Sequence, residues 1–499
     1  MGWKAKFSCI SRLDRITISD VGSKATSFHG LIDPLAFFQM PLLTKNFGPR
    51  CLAIKLLHAA TVVAFASPLF AAEFYVAPAG DDASAGTFEA PFATIQRGQQ
   101  AASAGDTVWV RGGTYLVTEL QIAERRRGRA CVTLLNKSGS EAKPIRYWAY
   151  EGEQPVFDFS AVKPANLRVT AFEVDGAWLY LKGLTVTGVQ VTILGHTQSI
   201  CFDNEGDNNR YEQLTMRDGQ AIGFWLGRGS NNLVLNCDAY QNHDYTSENQ
   251  RGGNVDGFGF HVPKGSVNNI FRGCRAWFNS DDGFDFINTA EQVTVEQCWA
   301  FYNGFNAKFA NLADGNGFKA GGYARRPASE LAAIIPRHVV RQCLAVGNKA
   351  SGFYANHQPG SGINWINNTA YRNGSNFNML GRSVEKANED LPGIGHKLRN
   401  NLGYKGRTEL SNLNETASDA ANNYFNLPVQ VDAADFAGLD EAELMRPRQA
   451  NGDLPEIAFM HLVKGSDLID RGLDAGLPFA GNAPDLGAFE FNEEKLQGK

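Results

Sequence analysis

Cys274-Arg275-Ala276-Trp277-Phe278-Asn279 and Cys298-Trp299-Ala300-Phe301-Tyr302-Asn303 stand 24 residues apart and share one pattern, C-x-A-x-x-N. It recurs at Cys237-Asp238-Ala239-Tyr240-Gln241-Asn242 and Cys343-Leu344-Ala345-Val346-Gly347-Asn348, and again at Asn368-Thr369-Ala370-Tyr371-Arg372-Asn373 with Asn in place of Cys. The compact spacings are 24 and 25 residues; 37 and 45 occur where loops are inserted. A repeat of that length is too short for a propeller blade and holds no helical pattern, so it predicts one turn of a parallel β-helix, an all-β solenoid.

A second element follows each Asn: Asp256-Gly257-Phe258-Gly259, Asp282-Gly283-Phe284-Asp285, Asn316-Gly317-Phe318-Lys319 and Ser351-Gly352-Phe353-Tyr354. Neighbouring strand residues point to opposite sides, so if the Phe side chains point inward, Gly259, Asp285, Lys319 and Tyr354 form one outward column, with coils about 4.8 Å apart. The Cys and Ala columns read as small core residues. The Asn column at 242, 279, 303, 348 and 373 reads as a stack satisfying the backbone groups of turns. At the N-terminal end, Glu73-Phe74-Tyr75-Val76 predicts a strand, 94–102 a short helix capped by Thr94 that covers the open end of the solenoid, and Thr107-Val108-Trp109-Val110 the first coil. From about 375 to 450 the repeat weakens into polar loops, and Asp485-Leu486-Gly487-Ala488-Phe489-Glu490 reads as a last strand. One domain over 73–499 is expected.

Composition agrees: 52 Gly and 33 Phe against 6 Met among 499 residues suit short strands and tight turns. The stretch 52–70 is almost free of charge, follows Arg50, carries Lys55 near its start and ends in small residues. It is expected to be a secretory signal within an extension over 1–72, too short in its apolar core for a membrane span, and the product is expected to be secreted. That extension carries eight of the 47 Lys and Arg and three of the 52 Asp and Glu, leaving a net charge of about −10 on the remainder. An acidic product argues against nucleic acid as partner and requires an anionic polymer to bind through local cations. No membrane partner is expected once the signal is removed, and a monomer is expected. Six of the eight Cys lie beyond the signal without a CxxC pair, which excludes the usual zinc spacing and favours buried thiols over a disulfide framework.

Four carboxylates converge on the outward face: Asp256, Asp281, Asp282 and Asp285. Mutual repulsion disfavours such a group without a cation, and an all-oxygen set suits calcium, which takes 6 to 8 oxygens at roughly 2.3–2.6 Å. Lys319 follows Asp285 one coil on. A Lys beside a carboxylate is often only an ion pair, but here the Gly-rich surroundings at 314–322 leave room for a polymer to approach. His261, His338 and His357 read as structural or surface groups, and Arg325, Arg326, Arg337 and Arg341 as solvated charges able to grip carboxylates. The run Arg125-Arg126-Arg127-Gly128-Arg129 is a candidate contact for an acidic polymer, remote from the 256–319 face.

The segments Asn254-Val-Asp256-Gly-Phe-Gly-Phe-His261, Asn279-Ser-Asp-Asp-Gly-Phe-Asp-Phe286 and Asp314-Gly-Asn-Gly-Phe-Lys-Ala-Gly-Gly322 resemble the calcium and base motifs of the pectate lyases of polysaccharide lyase family 9. The resemblance runs from about Phe74 to the C-terminus and departs at Ala320 and Arg325-Arg326. It implies a right-handed parallel β-helix, a calcium site at Asp256, Asp281, Asp282 and Asp285, Lys319 as base, and pectate as substrate cleaved by β-elimination. The chemistry is consistent: deprotonating C5 beside a carboxylate is eased when a cation neutralises that carboxylate, and a neutral lysine can take the proton. With an amine that titrates near 10.4 in the open, this predicts an alkaline optimum. Two rivals remain at this stage. A glycoside hydrolase on the same architecture would use clustered Asp residues as acid and base, although the expected Gly-His-Gly and Arg-x-Lys segments are missing; a non-catalytic carbohydrate-binding β-helix would use calcium for stability alone.

Overall fold

The chain turns three corners per coil because specific residues adopt the left-handed backbone conformation. Gln241, Phe278, Tyr302, Gly347 and Arg372, each directly before the Asn of the repeat, all have φ between 53° and 58°. A second set, Asn236, Gly273, Gln297, Gln342 and Asn367, does the same directly before the Cys or its Asn replacement. A strand cannot continue through such a residue, so each coil breaks into short strands at fixed places. In the coil that starts at Asn269 these are Asn269–Arg272, Arg275–Trp277 and Phe284–Asp285.

In the computed structural model, which describes residues 71–492, these strands stack into three sheets of 12, 10 and 11 strands. Pairing along the coils is parallel throughout; the antiparallel exceptions are the hairpin Glu124–Arg126 with Arg129–Leu135 and a small pair beside the third sheet. The proposed signal at 52–70 lies outside the described residues. Among the described residues no helix is long and apolar enough to cross a membrane. The N-terminal reading holds: Glu73–Val76 pairs with Thr107–Val110, and the helix Ile95–Ala101 is capped by Thr94, whose hydroxyl accepts the Arg97 N–H.

The core follows the repeat. Ala239, Ala276, Ala300, Ala345 and Ala370 are register partners in the second sheet. Phe258, Phe284, Phe318, Phe353 and Phe377 stack face to face in the third, with centroids 4.8–5.1 Å apart. Asn242, Asn279, Asn303, Asn348 and Asn373 are buried, and each Nδ2 donates to the next side-chain carbonyl at 2.9–3.2 Å. The same amides also donate to backbone carbonyls; Asn303 Nδ2, for example, reaches Ala276 at 3.0 Å. The glycines of the second element fit against this ladder: a Cβ on Gly283 would lie 2.7 Å from the Gly317 carbonyl and 2.9 Å from Asn303 Nδ2. All six described Cys are buried free thiols.

Two expectations at the C-terminal end need correction. The coils do not dissolve after 375; they continue through Lys397–Arg399, Leu402–Tyr404, Thr408–Ser411 and Asp419–Ala421. A second buried ladder, Asn368, Asn401 and Asn423, sustains them at the corner that the Cys residues occupy earlier. Residues 485–490 form bends, not a strand, because Gly487 is left-handed at φ 100° and the Asp485 carboxylate holds the Asp470 and Phe491 N–H groups. This C-terminal stretch covers the outer face of the second sheet, where Phe436, Leu444, Phe459, Leu462 and Leu486 pack with Trp277, Trp299, Phe301 and Tyr371. Arg448 ties it down through Asp238, which Arg275 also grips at 2.8 Å.

Asn303→Ala strands several buried backbone and amide partners at once and is expected to lower stability by about 3 kcal/mol in urea unfolding. Asn268→Ala, which removes the exposed hydrogen bond from Asn268 Nδ2 to Asn231 Oδ1 and puts alanine at a left-handed φ of 60°, is expected to cost only about 1 kcal/mol.

Candidate functional site

The outward column of the third sheet is set by register. Trp225 pairs with Gly259, Gly259 with Asp285, Asp285 with Lys319, and Lys319 with Tyr354. Beside it, at the start of the same strands, a second ladder runs through Asp256, Asp282, Asn316 and Ser351. The Asp282 N–H donates to Asp256 Oδ1 at 3.1 Å, the Asn316 N–H to Asp282 Oδ1 at 2.7 Å, and the Ser351 N–H to Asn316 Oδ1 at 3.1 Å. One oxygen of each Asp thus does the work that an Asn does one coil later, which leaves Asp256 and Asp282 with their second oxygens free of the ladder.

Those second oxygens meet Asp285. Asp256, Asp282 and Asp285 are buried and each offers an oxygen within 4.8 Å of the others. Two oxygens on opposite sides of a calcium ion lie about 4.6–5.2 Å apart, so the spread fits one hard cation. Asp282 Oδ2 is buried without a hydrogen bond, although the Lys319 ammonium stands 3.0 Å away, an ion contact lacking hydrogen-bond geometry. Lys319 Nζ does hydrogen-bond Asp285 Oδ2 at 3.1 Å. Asp281 is buried next to this group but stands outside the three-oxygen cluster, and its Oδ1 accepts the Asp314 N–H at 3.2 Å.

Four carboxylates and one ammonium leave the cluster strongly anionic. Burial first, and then neighbouring carboxylates, push Asp256 and Asp281 well above the usual carboxylate range and Asp285 upward as well. Burial alone pulls Lys319 down, but Asp282, Asp285, Asp281 and Asp256 outweigh it and hold the ammonium well above its ordinary value. Without a second cation the amine is therefore held as a charge partner of the carboxylates.

The remaining expected residues are placed as follows. His338 is buried and neutral, its pKa pulled down to about 3 by burial. His261 is likewise pulled down to about 4 by burial and by Arg326 and Lys319, and its ring lies 4.4 Å from that of Trp225. Arg325 and His357 both contact Asp390, Arg341 pairs with Glu296, and Arg337 donates to the Gly395 carbonyl. The arginine run shares this face but stands three to four coils from Asp285, about 14–19 Å along the column. Arg126 pairs with Glu173, and Arg129 with Asp203 at 2.7 Å; Glu173 and Asp203 precede Trp225 in the same column. Trp225 itself was legible in Gly223-Phe224-Trp225, a further copy of the Gly-Phe-x element.

An open column bearing an acidic cluster and one amine, on a right-handed parallel β-helix, defines a polysaccharide lyase once known proteins are set beside it. The family model described as the Pel9A-like right-handed beta helix region matches residues 74–401, and a rhamnogalacturonan lyase-like C-terminal model matches 414–491. Pectate lyase L of Dickeya chrysanthemi is 34% identical over 84% of this chain and 90% of its own length. Pectate lyase PEL9 of Emericella nidulans is 31% identical over 80% and 94%. Among solved structures, a rhamnogalacturonan lyase is 44% identical with a TM-score of 0.75 over 79% of this chain and 96% of its own, and pectate lyase Pel9A is 32% identical with a TM-score of 0.69 over 84% and 96%. The chain belongs to the pectate lyases of polysaccharide lyase family 9. Membership sets aside the glycoside hydrolase and the non-catalytic binding protein.

Lys319→Met removes the ammonium that faces Asp282 and Asp285, and is expected to cost about 3 kcal/mol of stability at neutral pH in the absence of divalent ions. Carboxylates whose folded pKa is raised take up protons on folding, so their stabilising contribution is present at low pH and lost as pH rises through the raised values. The deficit is therefore expected to shrink near pH 5, in paired urea titrations, and to shrink when calcium is added at neutral pH.

Proposed function

We propose that this protein is a calcium-dependent lyase that cleaves pectate, the α-1,4-galacturonan, by β-elimination, with Lys319 as the base. Calcium is held by Asp256, Asp282 and Asp285, with Asp281 completing or orienting the set. The observation that carries this reading is the 3.0 and 3.1 Å approach of Lys319 Nζ to two carboxylates of the cluster on an open column. The names of the relatives support the substrate class, and the all-oxygen donor set supports calcium over softer metals. A secreted monomer is the state proposed for the working enzyme.

Bound there, calcium supplies charge neutralisation of the galacturonate carboxylate, which otherwise resists a second negative charge at C5. Lys319, neutral, takes the C5 proton. The electron pair left at C5 forms the C4–C5 double bond as the bond from C4 to the glycosidic oxygen breaks, and that oxygen is protonated from water. A cation held by Asp282 and Asp285 would weaken their hold on the Lys319 proton and so favour the neutral amine.

A second reading concerns the polymer. The 44% identity to a rhamnogalacturonan lyase and the matching C-terminal model favour a backbone in which galacturonate alternates with a neutral sugar. Parallel assays on polygalacturonate and rhamnogalacturonan decide between the two, and the faster substrate by kcat/KM identifies the polymer.

Lys319→Ala is expected to reduce kcat by about 10²–10⁴-fold, the usual cost of losing a general base. Product formation is followed by the ultraviolet absorbance of the unsaturated sugar end. Chelation is expected to abolish turnover and added calcium to restore it. Because the base acts deprotonated, kcat is expected to rise with pH into the alkaline range and to fall as the amine takes a proton. Full activity of Lys319→Ala, or full activity in excess chelator, overturns the assignment.

A further inference from the structure

Trp225 occupies the outward column between two charged positions, Asp203 on one side and, beyond Gly259, Asp285 on the other. Its six-membered ring lies over Gly259: a Cβ built on that glycine would stand 2.4 Å from indole Cε3 and 2.5 Å from Cζ3. His261 braces the indole, with ring planes inclined at 64°. The indole is only partly buried, unlike the inward Phe224 and Phe258 that flank it. A glycine at Gly259 therefore lets a large flat apolar surface lie along the wall, one coil from the carboxylate that contacts Lys319.

We propose that Trp225 is a stacking platform for one pyranose ring of the polymer, the ring next to the sugar held at Asp285 and Lys319. Each pyranose has a face of C–H groups that packs on an indole, while its hydroxyls and carboxylate point sideways to polar partners. The neighbours supply those partners. Arg129 pairs with Asp203 directly beyond the indole, and the Arg126 and Arg228 side chains line a cavity of about 220 Å³ with Glu173 and Glu205. A chain laid along the column thus crosses a charged cluster, an apolar platform and then the cluster of Asp residues. Packing against Gly259 alone does not call for an indole, since any small side chain there would cover the backbone.

The position of this subsite rests on the reading of Asp285 and Lys319 as the point of cleavage, so the test separates the two. Trp225→Ala is expected to raise KM for the polymer roughly five- to tenfold with kcat within about twofold, and Trp225→Phe to recover most of the loss. Gly259→Ala keeps the tryptophan but forces the indole off the wall, and is expected to raise KM in the same direction. In a Lys319→Ala background, a trigalacturonate probe is expected to bind five- to tenfold more weakly when Trp225→Ala is added, measured by calorimetry with calcium present. Unchanged KM in Trp225→Ala and Gly259→Ala, with unchanged probe affinity, overturns the platform. Persistent turnover in Lys319→Ala overturns the base and leaves the platform standing on the binding data.

Discussion

Parallel coils stacked at strand spacing, about 4.8 Å apart, oblige equivalent positions in successive coils to touch. Everything distinctive in this protein follows from that contact. An inward position must then be filled by side chains that can stack upon their own kind, which is why the rings of Phe258, Phe284, Phe318 and Phe353 lie nearly parallel and why the corner is built from asparagines. Asn has both a donor and an acceptor on one planar group, so a buried column of it satisfies itself and the turns around it. Asp has only acceptors when ionised. Placed in a column it can accept from the next backbone N–H, as Asp256 and Asp282 do, but its spare oxygen then has no donor in the stack.

The same constraint makes the outer column a device for bringing charges together. Residues 26 and 34 positions apart, as Asp256, Asp282 and Asn316 are, become neighbours, and so do Asp285 and Lys319. A loop-built site would have to pay conformational entropy to hold like charges at this distance; here the sheets hold them and the excess negative charge is stored as a demand for a cation. Lys319 answers part of that demand with an ion contact and a hydrogen bond. The remainder is what the proposed calcium would answer, and it would tie the state of the amine to the occupancy of the carboxylates.

Much of this was legible in the sequence because the repeat carries its own register. Once Cys274 and Cys298 are aligned, the Gly-Phe-x element fixes which side chains face out, and the column Gly259, Asp285, Lys319 and Tyr354 follows. The coil before them was missed for a physical reason. Register pairs Met216 with Ala239, so Leu214 takes the Cys place and Gly219 the Asn place, and none of the signature residues remains. The ladder needs no Asn there because the Gly219 N–H is itself accepted by Asn242 Oδ1. That the arginine run ends beside this column was not legible, because sequence separation says little in a solenoid: Arg129 and Asp203 are 74 residues apart and in contact. The late coils were hidden by a change of ladder, from Cys to Asn at 368, 401 and 423, and by loops between its members.

Why the site lies on the third sheet follows from what the other faces must do. The second sheet presents Tyr240, Trp277, Phe301, Val346 and Tyr371 outward, a stripe too apolar to leave in water, and the segment after 421 is spent covering it. The buried Arg275–Asp238–Arg448 group fixes that cover in one register, since moving the segment would take Arg448 from Asp238 and the Leu444 and Arg446 carbonyls from Arg275. The third sheet has polar or charged residues at nearly every outward position, Glu173, Asp203, Asp285, Lys319 and Asn378, and needs no cover. Between Glu173 and Lys319 its large apolar member is Trp225, lodged over the glycine that makes room for it. A partly exposed indole kept in a largely polar strip leaves apolar surface that a cover would relieve, and the proposed sugar ring supplies that cover when it binds.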